Sequence, residues 1–121
     1  LVVHGAGLDE VALHGPTTGA LLRDGTIREV TLSAEAAGLR TSPVEALVGG
    51  GPEESAAWLV ALLDGKGARA HIDVVALNAG ALAFAVGRAA TLRDGVREAR
   101  EALLGGGCAR RLDRLVETSH A

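Results

Sequence analysis

At 121 residues with a formal charge of −3, the chain has the size of one domain and lacks the basic excess that neutralises a nucleic-acid backbone. Hydrophobic residues make up 48% of it but aromatics only 2%, so the core must be Leu, Val and Ala, with no aromatic platform for stacking bases. One cysteine, Cys108, excludes an internal disulfide and fits a reducing, cytoplasmic setting. Leu1–Val3 is too short and too bare of basic flanks for a signal peptide. No stretch approaches the ~20 apolar residues that a membrane span needs.

Leu1–Val3 reads as a short buried strand, an unusual opening for a chain whose terminus should be polar and frayed; we expect residues upstream of it. A glycine-rich loop, His4–Glu10, follows, and Val11–His14 reads as a second strand closed by Gly15-Pro16. Asp24-Gly25 lies between two extended runs, Thr17–Arg23 and Thr26–Leu32. Such a pair predicts a hairpin, because a type I′ turn needs positive φ at both central residues. The first third is therefore β-rich and antiparallel after the opening strand.

The remainder reads as helices. A short one lies near Val44–Val48. Pro52-Glu53-Glu54 starts the next, with proline in the first turn and acids at the positive end of the dipole, and Asp64-Gly65 stops it. From about Ala70 to Arg88 the pattern is apolar nearly all round, the mark of a buried helix. Thr91 caps a helix with Leu92, Val96, Ala99 and Leu103 on one face; three glycines end it. Cys108–Val116 forms the last helix, and 117–121 should fray.

Chemistry concentrates in the loop His4–Glu10. Gly5 and Gly7 permit unusual dihedrals, and in open α/β sheets ligands bind beyond the carboxyl ends of strands. Mg²⁺ takes hard oxygen ligands and is commonly held by one or two carboxylates plus substrate phosphates. Asp9 and Glu10 are adjacent, so they reach one ion only where the backbone turns irregularly. On composition alone such a pair is more often a solvated loop.

A resemblance adds to this reading. Val2-Val3-His4-Gly5 followed by Gly7-Leu8-Asp9-Glu10 resembles the "VVHG…GLDE" segment of anthranilate phosphoribosyltransferases. In order after it come Gly15-Pro16-Thr17, the Asp24-Gly25 hairpin, Gly50-Gly51-Pro52-Glu53-Glu54-Ser55-Ala56 (Ser55 where the family usually has Asn), Leu77-Asn78-Ala79 and Leu92-Arg93-Asp94-Gly95-Val96. The resemblance implies Mg²⁺-dependent transfer of phosphoribose from phosphoribosyl pyrophosphate (PRPP) to anthranilate, with release of pyrophosphate, in tryptophan biosynthesis. It implies Asp9 and Glu10 as the metal ligands. It also implies an α/β fold in which residues 1–121 form the C-terminal part of the larger α/β domain of the nucleoside phosphorylase/phosphoribosyltransferase-like architecture. That part would hold one buried strand, an antiparallel β segment and about four to five helices. The family's glycine-rich PRPP loop, its acceptor-binding residues and the helical domain through which it forms homodimers would lie upstream, leaving this chain inactive alone. A pyrimidine nucleoside phosphorylase-like enzyme and a nonenzymatic nucleic-acid-binding relative share the architecture. The intact Gly7-Leu8-Asp9-Glu10 run argues against both, and the acidic charge against the second.

Other residues read more plainly. His4 either hydrogen-bonds phosphate or shapes the loop, His14 is structural within its strand, and His71 and His120 lie at the surface. Asn78 interrupts an apolar helix, where its amide serves either the site or buried backbone groups. The arginines of the last two helices form a solvated, salt-bridged face with the acids around them.

Overall fold

The computed structural model describes residues 1–120. The chain forms a three-stranded antiparallel sheet, β1 (Val2–Gly5), β2 (Thr17–Arg23) and β3 (Thr26–Leu32), in the order β1-β2-β3. A 3₁₀ turn at Val44–Leu47 leads to four helices: α1 (Pro52–Leu63), α2 (Arg69–Ala85), α3 (Leu92–Leu104) and α4 (Gly107–Ser119).

The hairpin forms as its Asp-Gly pair demands. Asp24 (φ 51°) and Gly25 (φ 73°) both occupy the left-handed region, and Arg23 pairs with Thr26. Thr91 caps α3: its hydroxyl accepts the Asp94 N–H at 3.1 Å. The final helix runs to Ser119, three residues past the expected end at Val116.

Two strand expectations need correction. The opening strand is not buried. It pairs antiparallel to β2, with Val2 opposite Ala20, and leaves Val2 75% exposed. Val11–His14 is not a strand either. Val11, Ala12 and Leu13 are all buried, which a strand with alternating faces cannot do in a one-sided sheet. Their backbone groups are taken by other partners instead. Ala12 N–H donates to the buried Thr17 hydroxyl at 2.9 Å, and Leu13 C=O accepts from Ser42 N–H at 3.3 Å.

The core is aliphatic, as composition requires. Leu13, Leu32, Leu77, Val96 and Leu103 gather between the sheet's end and the α2–α3 pair. Those two helices cross at Gly80 and Gly95. A Cβ on Gly95 would stand 2.5 Å from Gly80 O, and one on Gly80 would stand 2.5 Å from Val96 N, so no side chain fits between the backbones. Helix α2 is not buried all round: Ile72, Ala76 and Leu77 face inward, while Leu82 stays 70% exposed and Val86, at its C-terminal cap, 79%. Its Asp73 is buried and paired with Arg100 of α3 and, at 3.6 Å, with Arg69. His71, expected at the surface, is half-buried against Trp58, with ring centroids 5.0 Å apart. The arginines of α3 are bonded, Arg97 to Asp94 at 3.2 Å and Arg93 to the Ala36 carbonyl at 3.3 Å.

Candidate functional site, an acidic turn braced from both sides

The loop after β1 reverses in two residues. Ala6 (φ 49°) and Gly7 (φ 97°) form the turn, and Gly5 and Leu8 exchange both backbone hydrogen bonds, at 2.9 and 3.0 Å. This repeats the sense of the Asp24-Gly25 hairpin, with alanine at the first left-handed position. Asp9 and Glu10 emerge directly from it, and both are exposed.

The chain then folds back across Gly5. A Cβ there would sit 2.1 Å from Glu10 O and 2.8 Å from Ala12 N, contacts that no side chain can make. Gly5 is thus required by the close approach of the acidic segment and not by its own dihedrals. Beyond Glu10, the Asn78 amide of α2 grips the backbone of buried Val11. Its Oδ1 accepts Val11 N–H at 2.9 Å, and its Nδ2 donates to Val11 O at 3.0 Å and to Val74 O at 3.1 Å. Of the two readings open for Asn78, bonding to backbone is the one the geometry bears out.

Asp9 and Glu10 line one cleft, of about 230 Å³, with Leu1, Val3, Asn78 and Leu82. The irregular turn therefore lets two adjacent residues border the same recess, which on a regular strand would face opposite sides. His4 is not among them. It lies on β1 opposite Thr18 and borders a separate groove on the sheet face. Larger grooves exist there and beside α3, but neither contains Asp9 or Glu10.

The carboxylates suit a hydrated Mg²⁺. That ion holds several waters and uses one or two carboxylates plus phosphate oxygens, not a closed protein cage. Among the described residues no three His, Cys, Asp or Glu side chains converge as such a cage. Among the described residues, no helix is long and apolar enough to cross a membrane.

Fold and site together define an α/β domain that presents an acidic, hard-ligand turn beside an apolar helix. Comparison with known proteins places it further: the chain belongs to the glycosyl transferase family through its a/b domain, whose model matches residues 1–109. It is 56% identical over 119 residues to the anthranilate phosphoribosyltransferase of Sorangium cellulosum, covering 98% of this chain and 34% of that protein. It is 45% identical over 116 residues to the enzyme of that name from Haloarcula marismortui, covering 96% and 35%. The crystal structure of anthranilate phosphoribosyltransferase from Thermus thermophilus superposes with a TM-score of 0.85 at 38% identity, covering 98% of this chain and 35% of that one. The Saccharomyces cerevisiae enzyme in complex with PRPP and Mg superposes at 0.82 with 26% identity, over 95% of this chain and 33% of that one. The chain thus spans about a third of the length of the relatives it matches.

Proposed function

We propose that this chain is the metal-binding portion of an anthranilate phosphoribosyltransferase, a Mg²⁺-dependent enzyme of tryptophan biosynthesis in the cytoplasm. The observation that carries the reading is the convergence of Asp9 and Glu10 on one cleft, with the turn between them and β1 fixed by Gly5 and Asn78. Homology to anthranilate phosphoribosyltransferases over 98% of the chain supports it.

In the reaction the C1–O bond of PRPP breaks, pyrophosphate leaves with the bonding pair, and the anthranilate amine closes a C1–N bond and loses a proton. Charge collects on the departing pyrophosphate oxygens, and a divalent ion there would neutralise and orient it. Asp9 and Glu10 would hold that ion. Their own part would be to supply two carboxylates from a backbone that the turn, Gly5 and the Asn78 clamp set before substrate arrives. This chain would be the C-terminal part of the larger α/β domain. The PRPP loop, the acceptor pocket and the homodimer-forming helical domain would be supplied by an upstream segment.

The test is an assay of PRPP, anthranilate and Mg²⁺ with this chain alone and joined to that upstream segment. Activity of the joined protein alone is the expected result. No activity in either form would overturn the reading.

A further inference from the structure

We propose that His14 is a positioning residue for the acidic turn, bracing its tip by a hydrogen bond from Nε2 to the Ala6 carbonyl. This rests on the metal-binding reading of Asp9 and Glu10 and extends it to a residue outside the cleft.

The turn is fixed on its exit side by Asn78. Its tip, Ala6-Gly7, is exposed and carries a non-glycine residue at φ 49°, a conformation that an L side chain adopts only under constraint. The Gly5–Leu8 hydrogen bonds set that conformation, and His14 braces it: its Nε2 lies 3.2 Å from the Ala6 carbonyl oxygen. A carbonyl only accepts, so Nε2 must carry the proton. The opposite nitrogen, Nδ1, is buried and has no hydrogen-bond partner. The hydrogen that braces the turn is therefore the one on Nε2.

His14 is itself anchored. The preceding residues are tied down through Ala12 to Thr17 and through Leu13 to Ser42. Gly15 then lets the segment lie against the turn: a Cβ at that position would stand 3.3 Å from the Ala6 Cβ. His14 thus couples the buried floor of the loop to its exposed tip, three residues before Asp9. Without it, the tip rests on the Gly5–Leu8 hydrogen bonds alone, and the segment that carries Asp9 and Glu10 is less firmly placed.

Three measurements decide this, made on the active protein established by the assay above. In His14→Leu, the Mg²⁺ concentration for half-maximal rate should rise by about tenfold, the low end of the effect seen when a group supporting metal ligands is lost. His14→Gln, whose amide nitrogen replaces Nε2 as donor, should recover most of that shift. Side-chain ¹⁵N spectra of the wild-type protein at neutral pH, without substrate, should show a hydrogen on Nε2. An unchanged Mg²⁺ dependence in His14→Leu, or a ring whose only hydrogen is on Nδ1, would overturn the proposal. If His14→Leu does not fold, the glutamine variant and the spectra still decide it. An inactive wild-type protein would instead count against the enzymatic reading, while the spectra would still report on the hydrogen bond.

Discussion

Asn78 and Val11, 67 residues apart, are joined by two hydrogen bonds of 2.9 and 3.0 Å that copy one rung of a β-ladder with a side-chain amide. The amide satisfies both backbone groups of a residue that no strand accompanies. Asn78→Ala leaves a buried N–H and C=O unpaired and should destabilise the protein by about 2–4 kcal/mol in chemical denaturation. Asn78→Asp keeps the acceptor but loses the donor, and should recover only part of the loss. An alanine variant as stable as wild type would show that water replaces the clamp.

Asp9→Asn and Glu10→Gln make the opposite prediction. Both side chains are exposed, so the melting temperature should stay within a few degrees of wild type. In the complete enzyme the rate should fall on the order of 10²-fold, the size of effect when charge stabilisation at a leaving group is lost. Full turnover in the double variant would remove the metal assignment.

Gly5→Ala separates steric from conformational demands. Gly5 has no positive φ, yet its Cβ would meet the Glu10 carbonyl at 2.1 Å. The substitution should cost about 1–3 kcal/mol and displace the acidic pair, so stability and Mg²⁺-dependent rate fall together. Gly7→Ala, with open space around its Cβ, should act through its φ of 97° alone.

At the helix crossing, Gly95→Ala pushes a methyl onto the Gly80 backbone and should destabilise by about 1–3 kcal/mol or more. Gly80→Ala should do likewise. Because both wedge the same pair of helices apart, the double variant should cost less than the sum, read from a double-mutant cycle of denaturation midpoints.

Asp73 and Arg100 should respond unequally. Asp73 is 1% exposed and the Arg100 side chain 35%. Arg100→Ala strands a buried carboxylate with Arg69 as its remaining partner, at 3.6 Å, and should cost about 3 kcal/mol. Asp73→Asn leaves an arginine that can turn to water and should cost less. Equal losses would show that water reaches the carboxylate.

What could be read in advance followed from how far each determinant reaches along the chain. The Asp24-Gly25 hairpin and the Thr91 cap are decided within a few residues, and both formed as expected. Val11–His14 misled because its apolar run satisfies strand and buried loop equally. Only Asn78, Thr17 and Ser42, which take up its polar backbone, distinguish the two. The antiparallel placement of β1 depends on Gly19, where any Cβ would stand 2.5 Å from Val2 O, and nothing nearby in sequence announces that contact. Asp9 and Glu10 stand out as candidates from their motif alone. Their shared recess was not, because it arises where a turn, a distant glycine contact and a helix side chain meet. Asp73 was overlooked within an apolar helix because its partner Arg100 lies on another one.

The two-residue reversal at Ala6-Gly7 also bears on how tightly a ligand can be held. A long, slack loop loses much of its conformational freedom when an ion captures it, and that loss subtracts from affinity. Here the reversal is too short to wander, and the Gly5–Leu8 hydrogen bonds close it before any ligand is present. An ion captured at Asp9 and Glu10, as proposed, would therefore meet an already ordered backbone, and the entropy of arranging that backbone belongs to folding and not to capture.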